Sequence, residues 1–173
     1  MATKKATTPV TAEKKGRKYP YYPAFIGERE KGTMRFGELC RKRWDFHSLG
    51  DFVVRDIRGK AGQLSVHATG AAIDIGWSHL GAEGRNRADE AVAWFSKYAD
   101  ELGIVEINAY WQGDFGKGWR CDRHSWRTYT KDDNAGSIHA QWIHVELAPE
   151  VLGADGDVEV ERRWRSLPKP LKG

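Results

Sequence analysis

The sequence contains few cysteines and no long apolar run. Only Cys40 and Cys121 occur among 173 residues, so a disulfide framework is excluded and reduced thiols are expected. No apolar segment approaches the roughly 20 residues that a membrane-spanning helix needs, so we expect no membrane span. Residues 1–18 are charged and lack the apolar stretch of a signal peptide. The sequence therefore predicts synthesis in the cytoplasm without a cleaved signal.

Positive charge is concentrated at the two ends of the chain. The net charge is +4, yet residues 1–20 hold six basic residues against one acidic, and residues 161–173 hold five against one. The remaining middle of the chain is net acidic, which argues against nucleic-acid binding as the main function. We predict a disordered basic tail over 1–20, a folded domain over 21–155 and a basic C-terminal tail over 156–173.

Helical and strand periodicities are mixed along the predicted domain. Apolar residues at spacings of three and four predict helices, and alternation or β-branched content predicts strands. In chain order these elements are a helix over 33–46, a strand over 52–57, a helix over 86–102, and strands over 104–110 and 142–147. Residues 71–75 form a short, nearly all-apolar segment interrupted by Asp74. A hairpin is expected within 112–138, and a short helix or turn after 148. The fold class predicted is α+β, with a small, mostly antiparallel sheet flanked by helices.

Asp74 stands in an apolar segment, AAIDIG, where a carboxylate is costly to bury unless it is paired or binds a cation. His67 precedes it across a loop in which Gly70 can turn the chain back. His144 lies in an apolar strand and is the expected third ligand. Two imidazoles and a carboxylate suit zinc, and three protein ligands are typical of catalytic rather than structural zinc. The alternative is that Asp74 caps a loop and both histidines are ordinary core residues.

The segment 65–74, SVHATGAAID, resembles the Ser-x-His-x-x-Gly-x-Ala-x-Asp pattern of a family of zinc enzymes. These are the D-Ala-D-Ala carboxypeptidases and L-Ala-D-Glu endopeptidases, which are related to lysostaphin-type peptidases and the hedgehog signalling domain. ELGIVEINAYWQGDFGKGWR and SIHAQWIHVEL also resemble the second half of that domain in endolysins of phages that infect actinobacteria, and the resemblance covers about residues 50–150. It implies a hedgehog-like fold and cleavage of the peptidoglycan stem peptide, at the cell wall after release from the host or within a phage particle.

The resemblance also implies roles for individual residues. The zinc ligands would be His67, Asp74 and His144. Ser65 would brace the first motif beside the substrate, and Arg58 would hold a substrate carboxylate or the developing oxyanion, with Arg55 as its rival. Trp119 opens an aromatic and charged run over 119–126 that we expect to face the substrate.

The expected general base is replaced. Gln141 stands three residues before His144, where the family places Asp or Glu, and an amide can orient water but cannot transfer a proton near neutral pH. Glu146, on the same strand face as His144, and His139, just before the strand, are the predicted substitutes. Without a substitute, the chain would be a catalytically impaired zinc-bearing relative that binds cell walls, or virion proteins through its basic tails.

Overall fold

The computed structural model describes residues 16–20, 22, 28–57, 60–133 and 137–169, and these form a mixed α+β fold. The helices of this part of the chain are α1 (Lys31–Trp44), α2 (Gly81–Lys97), α3 (Ala99–Leu102) and α4 (Gly156–Arg165). The strands are β1 (His47–Gly50), β2 (Asp56–Ile57), β3 (Lys60–Leu64), β4 (Ala72–Gly76), β5 (Ile104–Ala109), β6 (Lys117–Arg120), β7 (Ser125–Thr128) and β8 (Trp142–Leu147). Of the described helices, none combines the length and apolar character that crossing a membrane requires.

Six of the strands form one antiparallel sheet in the order β1-β4-β8-β5-β6-β7. The strands β2 and β3 pair separately with each other. The α+β class and the antiparallel sheet are thereby confirmed. β8 lies near the centre of the sheet, between β4 and β5, so its side chains meet those of two neighbouring strands.

The two faces of the sheet differ in chemistry because side chains alternate along each strand. One face carries Ile73, Val145, Ile107 and Trp119, which stand side by side on β4, β8, β5 and β6 and belong to the hydrophobic core. Helices α1 and α2 cover this face. The opposite face is polar, and the register places Asp74, His144 and Asn108 in one row across three strands.

Helix α1 lies close against the apolar face. Phe36, Leu39 and Cys40 recur at helical spacing and are buried. Gly37 permits the close approach, since a Cβ atom there would stand 2.6 Å from the Cδ1 atom of Ile73. The helix ends where Asp45 adopts a left-handed conformation with φ 61°.

Several predicted elements match the structure closely. The strand predicted over 142–147 is β8, and the hairpin expected within 112–138 is formed by β6 and β7. The helix predicted over 86–102 starts earlier and is interrupted at Tyr98, which separates α2 from α3.

The strand predicted over 52–57 is wrong for most of its length, since only its last two residues pair with β3. The hydrogen bonds of this segment go elsewhere. The N–H group of Val53 donates to the carbonyl of His67 at 3.4 Å, and the carbonyl of Arg55 accepts from the N–H group of Ser65 at 2.9 Å. The segment is therefore attached to the histidine turn rather than to the sheet.

Both predicted tails contain residues that contact the folded domain. Arg17 lies 2.8 Å from Asp100 and also donates to the carbonyl of Ile104 at 2.7 Å. Helix α4 lies wholly within the predicted C-terminal tail, packs against α1 and buries Val160. The boundary predicted at residue 155 is therefore too early, because the charged helix carries an apolar stripe. Residues 1–15 of the predicted amino-terminal tail lie outside the described part of the chain.

Candidate metal centre

The polar face of the sheet holds a cluster whose members come from a short turn and two strands. His67 lies in a 3-10 turn over Val66–Thr69, and Gly70 follows with φ 71°, a left-handed conformation that glycine adopts without strain. This turn brings the chain back into β4 as the sequence predicted. Asp74 lies at the middle of β4, directly opposite His144 on β8.

The three predicted ligands meet at one point. Nε2 of His67 lies 3.4 Å from Oδ2 of Asp74, and Nδ1 of His144 lies 2.9 Å from Oδ1 of the same carboxylate. One ligand atom of each residue lies within 4.8 Å of the other two. The side chain of Asp74 is 24% exposed, against 5% for His67 and 11% for His144, so the cluster reaches solvent on the Asp74 side. This group can hold a metal ion.

The His144 imidazole and the Asp74 carboxylate shift each other's pKa in opposite directions. Burial opposes the charged form of His144, but hydrogen bonds to Asp74 and Glu146 outweigh it and raise the pKa of His144 to about 10. Burial also disfavours the Asp74 carboxylate, but hydrogen bonds from both histidines outweigh it and hold the pKa of Asp74 well below its ordinary value. Two imidazoles that point at one carboxylate form a set of ligands that fits a divalent cation, which would displace the proton of His144.

Glu146, predicted as a substitute general base, stands two residues beyond His144 on the same strand face. Its Oε1 atom lies 3.2 Å from Nε2 of His144, and its Oε2 atom accepts a hydrogen bond from the hydroxyl of Tyr19. Both carboxylate oxygens are thus engaged in a side chain whose residue is only 5% exposed. Glu146 contacts the nitrogen of His144 that faces away from Asp74.

A second carboxylate lies beside Glu146 and was not predicted from the sequence. Glu106 on β5 pairs with Glu146 across the strands, and its Oε1 atom accepts from Nδ2 of Asn108 at 3.0 Å. Burial, followed by repulsion from Glu146, raises the pKa of Glu106 to about 7. The hydroxyl of Tyr129 bonds to Oδ1 of Asn108 and so lies over the same row. The alternation of Glu106 and Asn108 with Ile107 was the available signal, but their partners depend on strand order.

Ser65 stands at the start of the histidine turn and is 8% exposed. Its carbonyl accepts from the N–H group of Ala68 at 2.9 Å, which helps to close the turn that carries His67. This placement is compatible with the bracing role that the resemblance implies.

The remaining predicted site residues lie in several different parts of the fold. Trp119 is 2% exposed and sits in the hydrophobic core, on the sheet face opposite His144, because β6 turns its ring toward the helices. This placement does not favour contact between Trp119 and a substrate. Gln141 and His139 are exposed on the approach to β8. Arg58 lies outside the described residues, and its rival Arg55 is exposed.

In comparisons with models of known protein families, with characterised proteins and with solved structures, nothing matches the chain. The geometry of the His67, Asp74 and His144 cluster therefore carries the functional argument.

Proposed function

We propose that this protein is a zinc metallopeptidase that cleaves a peptide bond in the stem peptide of bacterial peptidoglycan. The observation that carries the proposal is the convergence of His67, Asp74 and His144 on the polar face of the sheet. The resemblance of the 65–74 segment to zinc carboxypeptidases and endopeptidases of the cell wall supports the substrate class. A phage lysis or wall-remodelling enzyme is the corresponding biological role.

The donor set favours zinc among divalent cations. Nitrogen and oxygen ligands of borderline softness suit Zn²⁺, and sites with three protein ligands are typically catalytic. When bound, zinc supplies a Lewis acid for a carbonyl oxygen and lowers the pKa of water. His67 and His144 would hold it from the buried side, and Asp74 would hold it from the side that solvent reaches.

The proton-transfer step of peptide cleavage has few candidate side chains in this protein. Gln141 has no proton to exchange near neutral pH. Glu146 contacts the cluster through His144, while His139 is exposed and its backbone N–H group donates to Oγ of Ser137 at 3.2 Å. We propose His139 as the proton carrier, because an exposed side chain can approach a bound peptide whereas the carboxylate of Glu146 is occupied.

A second candidate function is a zinc-bearing module that binds the cell wall, or virion proteins through its basic ends, without cleaving peptide bonds. Gln141 is the observation that favours it, since the amide occupies the position at which the resembled enzymes carry an acid. The two candidates share the metal centre and differ in turnover.

The deciding experiment measures new amino termini released from purified peptidoglycan by the zinc-loaded full-length protein. We expect release by the wild type and by His79→Ala, which removes an exposed histidine outside the cluster, but not by His67→Ala. His139→Ala should lower the rate by about 10²-fold or more, the usual worth of general acid–base catalysis.

The same preparation separates the second candidate from the first. Wild-type protein that is fully loaded with zinc and sediments with cell walls, yet releases no amino termini, would overturn the peptidase. Activity that appears only in Gln141→Glu would assign the natural chain to the non-catalytic class.

A further inference from the structure

His144 differs from His67 in what holds its ring. The ring of His144 is held on both sides, with Nδ1 at 2.9 Å from Asp74 and Nε2 at 3.2 Å from Glu146. By contrast, Nδ1 of His67 is buried and has no hydrogen-bond partner among the residues described. An imidazole binds a metal through one nitrogen only if the other carries the proton, and a carboxylate on that other nitrogen fixes this tautomer. Glu146 stands where such a carboxylate is needed.

Glu146 is itself held by the amino-terminal segment. The Tyr19 hydroxyl donates to Oε2, which leaves Oε1 to face His144. Burial and the neighbouring Glu146 raise the pKa of Tyr19, so its hydroxyl keeps its proton and acts as the donor. These two side chains are 127 positions apart in the sequence.

Tyr19 has a defined position because its neighbours in the chain are attached to strand ends. The N–H group of Arg17 donates to the carbonyl of Cys121 at 2.8 Å, and the Tyr22 hydroxyl donates to the carbonyl of Leu147 at 2.8 Å. The guanidinium carbon of Arg120 lies 4.6 Å from the centre of the Tyr19 ring, a cation–π contact. The segment is thus fastened at both sides of Tyr19.

We propose that Tyr19 and Glu146 are positioning residues for the metal centre. Tyr19 orients Glu146, and Glu146 accepts the Nε2–H proton of His144, so that Nδ1 presents its lone pair beside Asp74 and His67. The amino-terminal segment is then part of the metal centre although it contributes no ligand. The inference rests on the metal site of the proposed function and adds the requirement that this segment be in place.

The test is the zinc affinity of the full-length protein, measured by competition with a chelating dye. Glu146→Gln should weaken zinc binding by about tenfold or more, the usual effect of removing a partner behind a metal-binding histidine. Tyr19→Phe should weaken it by about fivefold, as expected for one lost hydrogen bond. Tyr22→Phe is the matched control, because it removes a hydroxyl from the same segment whose acceptor is a backbone carbonyl. Its zinc affinity should stay close to that of the wild type, because the contacts of Arg17 and Arg120 still hold Tyr19 in place.

The melting temperature of the metal-free proteins separates positioning from stability. We expect Tyr19→Phe and Tyr22→Phe to lose similar stability, while the ligand-field absorption of bound Co²⁺ changes only in Tyr19→Phe and Glu146→Gln. Equal zinc affinities of Glu146→Gln and the wild type, or equal losses of zinc affinity in the two tyrosine variants, would overturn the inference and leave the peptidase untouched. A wild-type protein that binds no zinc would overturn both.

Discussion

Glu106 makes the stability of the metal-free protein depend on pH in a direction that can be worked out from the structure. Its pKa is about 7 in the folded protein, against an ordinary value of 4.5, because it is partly buried and lies beside Glu146. Between these two values the folded chain keeps a proton that the unfolded chain has released. Stability therefore falls as the pH rises from 4.5 to 7, by about 3 kcal/mol for this one group.

Replacing Glu106 by Gln removes the titration and keeps an oxygen that can accept from Asn108. We expect Glu106→Gln to match the wild type near pH 5 and to exceed it by up to about 3 kcal/mol at pH 8. Urea unfolding followed by tryptophan fluorescence, in the presence of a chelator, measures the difference at each pH.

Asp114→Asn provides the control, since this carboxylate is exposed in the loop between β5 and β6. It should shift the unfolding free energy little at any pH. A Glu106→Gln curve that runs parallel to the wild-type curve from pH 5 to pH 8 would refute the reasoning, because the proton would then not be held by Glu106.

Three further predictions follow from the same face of the sheet. Saturating zinc should raise the melting temperature of the wild type by several degrees, as about 3 kcal/mol is gained at a hundredfold excess over Kd, and His67→Ala should show no such rise. Zinc must displace a proton from His144, whose pKa is about 10, so the apparent affinity for zinc should increase about tenfold per pH unit between pH 6 and 8. Calorimetry in buffers of different ionisation enthalpy measures the proton release, and a result of no release would contradict this prediction. Gly118→Ala places a Cβ atom 1.9 Å from the Tyr129 hydroxyl and should cost about 1–3 kcal/mol in chemical unfolding, less in a Tyr129→Phe background.

The sequence was sufficient to predict that His67, Asp74 and His144 lie together and that His144 lies on a strand. An acid among apolar residues at Asp74 and a histidine within an alternating strand at His144 are local signals, and each fell on the polar face. The left-handed turn at Gly70 was equally local. These features depend on neighbours within a few positions, which is the range over which sequence patterns determine conformation.

The surroundings of these three residues could not be predicted in the same way. Tyr19 meets Glu146 from a distant part of the chain, and Glu106 becomes a neighbour of Glu146 only through the order β8-β5 in the sheet. Helix α4 was assigned to a basic tail because of its charge, although Val160 and Trp164 are four residues apart and Trp164 packs edge-on against Phe36 at 5.7 Å. Strand order and long-range contacts are set by the whole chain, and local composition does not encode them.

The pairing of β8 with β4 has a consequence for how preparations of this protein can be judged. A shift of β8 by a single position would place Val145 or Ile143 opposite Asp74 and press the imidazole of His144 under the helices. Only molecules in which β8 pairs with β4 in this register can therefore hold a divalent ion at the cluster. The stoichiometry of zinc uptake at the proposed site would then count the fraction of chains that have folded in register.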